Sequence, residues 1–253
     1  FAVLSVIVFS MIFPLFWMLM GALKNSSEIF KMPPTLFPRE WLWGNFKKAY
    51  ESLRFGHYFL NTIYIVAGSL LIQITITSLA GYSISKLKPK YGKVVFVMFL
   101  GTLMVPYQAY MVPQYLNLKS IPFFRLNLLD TYWALWLPSA ANAFNIFLFK
   151  SFFDSIKSEV LEAARIDGAS ELTIFGRIIV PLSKPVFGVV TIFSFTGVWN
   201  SFIWPKIVLS TADKHPIMVA LFNFAENSTV SWNIILAAMF IASIPPIIAF
   251  LMF

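Results

Sequence analysis

The sequence predicts an all-α integral membrane protein with six transmembrane helices and one charged helical platform on the water side. Three observations carry this. Hydrophobic residues make up 58% of the 253 and charged residues only 12%, with a mean hydropathy of +0.76; a soluble domain carries about twice that charge. Uncharged apolar runs long enough to cross the roughly 30 Å hydrocarbon layer recur along the chain. The charges gather between these runs, and 10 of them, five of each sign, fall within Lys150–Pro185.

Composition also excludes whole classes of function. There are no cysteines, so disulfides, thiol catalysis and cysteine metal sites are out. His57 and His215 lie far apart in sequence and make no ligand pair, so no metal site is expected. The net charge of +8 is spread over loops between apolar runs, which argues against a nucleic-acid partner and for the lipid bilayer. Gly92-Lys93 is followed by Val94 and has no glycine five residues before it, so no phosphate-binding P-loop exists and ATP must be hydrolysed elsewhere. No charge falls inside a predicted span, whereas proton relays, ion-coupled carriers and voltage sensors need one there.

The chain reads as a single domain, 1–253, with spans at about 1–23, 59–81, 94–116, 131–149, 185–205 and 233–253. Phe1–Leu23 is uncharged throughout and lacks the basic start and small-residue cleavage site of a signal peptide. The sequence starts mid-run without Met and stops mid-run at Phe253, which predicts further residues beyond both ends. Lys24–Arg54 holds three prolines and three interface-type aromatics, and reads as an irregular loop followed by a short interfacial helix near Asn45–Leu53. The second span carries a polar seam of Asn61, Thr62, Gln73, Thr75, Thr77 and Ser78, and is followed by a four-lysine loop, Lys86–Lys93. Pro106 and Pro113 interrupt the third span and predict a kink satisfied by neighbouring helices. Lys206–Trp232 reads as a polar loop before the last span. Raw counts of Lys and Arg do not orient the spans, but the dense lysine loop does, and it puts Lys86–Lys93, the platform and both termini in the cytoplasm.

The platform reads as a helix, a break and a second helix. Ser155 or Ser158 can cap its start, with Glu159 and Glu162 near the positive end. Val160, Ala163, Ala164 and Asp167 follow i, i+3, i+4, i+7, a face of small residues that another protein can approach closely. Gly168 stops the helix and Ser170 caps the next. Leu172, Phe175 and Ile179 form that helix's expected buried stripe, ended by Pro181.

Glu162-Ala163-Ala164, Gly168, Ile179 and Pro181 together resemble the EAA motif of the membrane subunits of ATP-binding-cassette importers, and the string from Glu162 to Pro185 resembles the sugar-importer branch with maltose-type permeases. The segments after His57, the fourth span and the string Gly197–Pro205 are similar as well. The resemblance implies a type I importer permease fold with a cytoplasmic coupling helix, in a bacterial cytoplasmic membrane. It implies a second homologous permease, two ATPase subunits that bind ATP and Mg, and an extracytoplasmic solute-binding protein. No cofactor is implied for this chain itself. The ATPase-docking residues would be Glu162, Ala163, Ala164, Arg165, Asp167 and Gly168. Substrate-path candidates are Asn200 and Trp199, with Gln73, Asn142, Asn145, Tyr107 and Gln108 behind them; each also admits a plain packing role. Asn223, Glu226, Asn227 and Trp232 occupy the position that meets the binding protein in maltose-type permeases, with little shared sequence. The implied function is one half of a carbohydrate path. The alternatives are a permease for another small polar solute, an exporter or amino-acid importer subunit, half of a secondary carrier, or an intramembrane enzyme. A carrier calls for buried charge and an enzyme for a catalytic constellation within the spans, and the sequence displays neither.

Overall fold

A computed structural model describes residues 1–252 apart from Phe123 and Ser228. The described chain is helical. In order, the helices are α1 (Ala2–Ala22), α2 (Ser26–Ile29), α3 (Gly44–Ser52), α4 (Phe55–Tyr82), α5 (Gly92–Thr102), α6 (Tyr107–Lys119), α7 (Trp133–Ser139), α8 (Ala143–Asp154), α9 (Ser158–Ile166), α10 (Glu171–Ile174), α11 (Val180–Leu182), α12 (Lys184–Trp199), α13 (Ile203–Val208), α14 (Ile217–Glu226) and α15 (Trp232–Met252). Wider π turns extend α4 through Ser83–Leu87 and join α10 to α11 through Phe175–Ile179.

Among the described residues, three helices are long and apolar enough to cross a membrane, at 3–22, 55–87 and 232–252. The predicted third span is α5 and α6, bent by 106° at Leu103–Pro106. Proline cannot donate the backbone bond, and the residue before it avoids helical geometry, so the chain turns there. The predicted fourth span is also two helices. α7 ends just past Pro138, and Asn142 restarts the chain by accepting from the Asn145 backbone N–H (3.0 Å) as the cap of α8. The fifth span is helical only to Trp199, and α13 continues separately. The polar loop expected at 206–232 contains the rest of α13 and the whole of α14, whose Ile217, Val219, Ala220 and Leu221 are buried. The helix is ten residues long, too short to cross a membrane, and so reads as part of the connection between two spans.

The chain divides into two compact units. The first holds residues 1–64 and 199–252. In it α15 packs against α1, α3 and α14. α1 comes so near α15 that a Cβ on Gly21 would fall 2.6 Å from Leu236. The connector after α1 is more ordered than its prolines suggest. Glu28 is buried and accepts from the Thr35 hydroxyl (2.8 Å) and the Arg39 backbone N–H (3.3 Å). Burial pushes its carboxyl up, but these bonds and the charges of Lys24 and Arg39 outweigh it and hold it below the usual value. Lys24 is buried too; its ammonium donates to the Thr35 carbonyl, while its own carbonyl accepts from the Asn45 and Asn233 amides (each 3.1 Å). Loop 209–217 is tied to the start of α4. Asn61 donates to the Asp213 carbonyl (2.6 Å), Thr62 accepts from the Ile217 N–H (2.8 Å), and Arg54 pairs with Asp213 (3.0 Å). Part of the polar seam of the second span is therefore spent on holding a loop.

The second unit holds residues 65–198. α4 and α8 touch almost backbone to backbone, at Gly81 and Phe149. Trp136 of α7 lies over Gly68 and donates its indole N–H to the Ile65 carbonyl (3.0 Å). Thr75 and Thr77 turn their hydroxyls onto the carbonyls four residues back, so these members of the seam satisfy themselves locally.

Candidate functional site

The platform is built in the second unit, from α9, α10 and the turn at Phe175–Ile179. α9 starts at Ser158 with Lys157 in the cap position and no side-chain cap, so neither Ser155 nor Ser158 plays that part; the Ser155 hydroxyl instead closes on the Phe152 carbonyl (2.7 Å). At its other end Gly168 adopts φ +81°. The Gly168 N–H bonds the Arg165 carbonyl (3.0 Å) and the Ala169 N–H bonds the Ala164 carbonyl (2.9 Å), the paired closure that a left-handed glycine allows. Ser170 then caps α10 by accepting from the Thr173 N–H (3.3 Å), as expected.

One side of this helix pair is bolted to the unit. Leu161, Ile174 and Ile179 are fully buried in one core with Tyr82, Phe149, Phe153, Val186 and Val190. The expected stripe Leu172, Phe175, Ile179 is thus corrected: Leu172 is 77% exposed and Ile174 takes its place. The cause is the π turn. The Val180 N–H reaches back five residues to the Phe175 carbonyl, so residues five apart, Ile174 and Ile179, share the inner face. Leu161, the deepest anchor of α9, was legible only as the residue three before Ala164.

Polar contacts fix the rest. Glu171 accepts from Arg165 Nε (2.7 Å) and from the Tyr82 hydroxyl (2.6 Å), which ties α9 to α10 and both to the end of α4. The Arg165 bond, then that of Tyr82, holds the Glu171 carboxyl below its usual range, and Glu171 in turn raises Arg165. A depressed carboxyl contributes at neutral pH and loses its contribution on acidification; with side chains about two-fifths exposed the amount is small. Asp154 accepts from Ser85 (2.6 Å) and Lys150 (2.6 Å), and Lys86 donates to the Ile156 carbonyl (2.5 Å). The lysine loop and the platform therefore lie at the same end of this unit. Nothing in the sequence signalled the Tyr82–Glu171, Ser85–Asp154 or Lys86–Ile156 contacts, because they join residues 70 or more apart or nearly so.

The outward side is where Glu162, Ala163, Arg165, Asp167 and Gly168 lie, all exposed, with Ile166 (86%) and Leu172 beside them. Ala164 does not join them: it is half-buried against the core. The small-residue face of α9 is thus split, Ala163 outward and Ala164 inward. Gly168→Val would force a branched side chain into the left-handed region, at about 1–2 kcal/mol or more. We expect a lower melting temperature and faster proteolysis within 158–182 for Gly168→Val, and near-normal behaviour for Gly168→Asn, which tolerates that geometry.

The other candidates are scattered. Asn200 is exposed and lines a cavity of about 540 Å³ in the first unit, together with Met18, Phe202, Phe222, Met239 and Ser243. Trp199 is fully buried, edge-on to Phe59 (5.9 Å), with its N–H on the Ala242 carbonyl (3.3 Å), which is a packing position. Gln73 is buried and donates to the Ser139 carbonyl (2.8 Å), bracing the gap between α7 and α8. Asn145 is buried against Ser194 (2.9 Å), and Asn142 is the exposed cap of α8. Tyr107 is half-buried on α6, and Gln108 beside it is exposed. Asn223 and Glu226 are exposed at the end of α14, Glu226 within 3.7 Å of Lys206. Asn227 turns its side chain onto Thr229, and Trp232 meets Phe30 edge-on at 6.4 Å.

The sequence profile of the family described as binding-protein-dependent transport system inner membrane component matches residues 73–253. The chain belongs to that family. The probable ABC transporter permease protein YurM of Bacillus subtilis (strain 168) is 35% identical to this permease over 242 residues, covering 95% of this chain and 78% of the relative. The sn-glycerol-3-phosphate transport system permease protein UgpE of Pectobacterium atrosepticum is 30% identical over 253 residues, covering 97% and 88%. The diacetylchitobiose uptake system permease protein NgcG of Streptomyces coelicolor is 28% identical over 246 residues, covering 96% and 80%. Among solved structures, a chain of a bacterial ABC transporter involved in the import of the acidic polysaccharide alginate superposes with a TM-score of 0.85 over 98% of this chain and 91% of that one, at 24% identity. The permease thus has the fold of an importer membrane subunit, with the platform inside the matched region.

Proposed function

We propose that this chain is one of two membrane subunits forming the path of a carbohydrate importer, driven by ATP and Mg bound in separate ATPase subunits and fed by an extracytoplasmic binding protein. One observation carries the reading. The platform is anchored on one side by Leu161, Ile174 and Ile179 and leaves Glu162, Ala163, Ile166 and Asp167 outward, a firm knob of mixed apolar and charged character. Such a surface serves to engage another protein. The relatives named for sn-glycerol 3-phosphate and diacetylchitobiose support a polyhydroxylated solute.

In this reading the chain crosses the membrane six times. α5 with α6 makes the third passage, α7 with α8 the fourth, and α12 the fifth. The lysine loop and platform share one end, and that end is cytoplasmic. ATP binding draws the platforms of the two permeases together and opens the path outward; hydrolysis resets it.

Affinity purification of the tagged chain from its own membranes tests this. A second permease and an ATPase should come with it, and the purified assembly should hydrolyse ATP faster when the binding protein is loaded with sugar. A chain that purifies alone and transports alone refutes the proposal. The orientation has its own test in a chain without cysteine. An impermeant thiol reagent applied to intact cells should label Ser120→Cys and spare Lys90→Cys and Ser170→Cys. Labelling of Lys90→Cys from outside would invert the topology. Ser228, expected outside, lies beyond the described residues.

A further inference from the structure

α6 has two unlike sides. Tyr107, Tyr110, Gln114 and Asn117 follow i, i+3, i+7, i+10, so they form a single stripe along the helix. Tyr110 stands edge-on to Tyr107 with ring centres 5.1 Å apart. On the opposite side Val112 and Leu116 are 63% and 58% exposed. The apolar side suits hydrocarbon. The amide side does not, because a carboxamide facing lipid leaves its bonding groups unmet. The stripe must therefore face water or a polar partner.

Tyr110, Gln114 and Asn117 line a shallow, open groove of about 440 Å³ together with Pro113 and Leu118 of α6 and Leu137 and Pro138 of α7. Pro113, Leu118, Leu137 and Pro138 give the groove apolar surface, and Tyr110, Gln114 and Asn117 add a phenol and two carboxamides. A volume of this order lies within the ordinary range for small-molecule sites, which combine apolar walls with a few placed polar groups. The polar groups here match a sugar ring. An aromatic ring packs on its C–H face, and amides donate to and accept from neighbouring hydroxyls. None of the four residues is charged, which favours a neutral hydroxylated ligand over an anion.

We propose that the Tyr110–Gln114–Asn117 wall is the point at which this chain handles sugar during passage. This rests on the importer reading, and it moves the path away from Trp199, which is buried in packing.

The test uses the cysteine-free chain in the complete complex in its own membranes, with two readouts. Tyr110→Cys, Gln114→Cys and Asn117→Cys should react with a water-soluble maleimide, and Val112→Cys and Leu116→Cys should not. Gln114→Ala with Asn117→Ala should raise the uptake KM for diacetylchitobiose or maltose, used as probes, by about five- to tenfold or more while complex yield is unchanged. No labelling along the stripe overturns the groove as a wet path. Labelling with unchanged uptake kinetics overturns the sugar contact alone. A wild-type complex that hydrolyses ATP but moves neither probe overturns the sugar assignment here, while the platform tests and the maleimide pattern still stand as separate results.

Discussion

Ala163→Trp is expected to abolish sugar uptake while the protein still folds and inserts. Ala163 is exposed on the outer side of α9, so an indole there meets nothing within this chain and should change its stability by less than about 0.5 kcal/mol. Against a docked ATPase the same indole would hold the two surfaces apart. Glu162→Lys, next to it and also exposed, would reverse the charge at the same contact. Central interface positions cost 2 kcal/mol or more when disrupted, about a thirtyfold loss of affinity. Co-purified ATPase and uptake should both fall in each variant, with the amount of permease in the membrane unchanged. Normal uptake in both would leave the platform as an ordinary loop helix. Ala164→Trp would not serve here. That residue leans into the core, so its replacement would unseat the platform instead of blocking a partner.

Gly81→Leu is expected to prevent the second unit from folding. A Cβ at this position would lie 2.7 Å from Phe149 Cβ and 3.0 Å from the Lys150 backbone nitrogen. Backbone cannot swing aside as a side chain can, so α4 and α8 would have to separate. Overpacking of a tight interior costs about 1–3 kcal/mol, and a whole leucine belongs at or above the top of that range. The displaced helices also carry Tyr82, Phe149 and Phe153, three of the five residues that seat the platform. The check is recovery of monodisperse protein from detergent and its melting temperature. Gly101→Leu is the control, because a Cβ there has open space around it. Equal recovery of the two variants would show that the α4–α8 contact is looser than described.

The platform was read from sequence in its parts that depend on local geometry. Gly168 and Ser170 act through bonds within six residues, and both do what their residue type does at a helix break. Leu172 was misplaced because counting by 3.6 assumes an unbroken α-helix, and one wider turn moves the inward face onto Ile174. Apolar runs located the spans, but not their bends: α5 and α6 are one run in composition and two directions in space. Trp199 and Asn200 are paired by the resemblance to sugar-importer permeases, and here one is buried against Ala242 while the other lines a cavity. Glu28 was missed for the opposite reason. Its partners, Thr35 and Arg39, sit in a proline-rich loop that offers no periodicity to read.

The shared core beneath the platform has a mechanical consequence. Leu161, Ile174 and Ile179 interlock with Phe149 and Phe153 of α8 and with Val186 and Val190 of α12. Interiors packed at crystal-like density compress little. A force applied at Glu162 therefore meets no cushion before it reaches two long helices, and these have to turn as one body with the knob. Compliance is left to places outside this block where the ladder of backbone bonds is already broken, such as the gap between α7 and α8. If an ATPase docks on the platform as proposed, a displacement of the knob would be passed to α8 and α12 as one rigid movement.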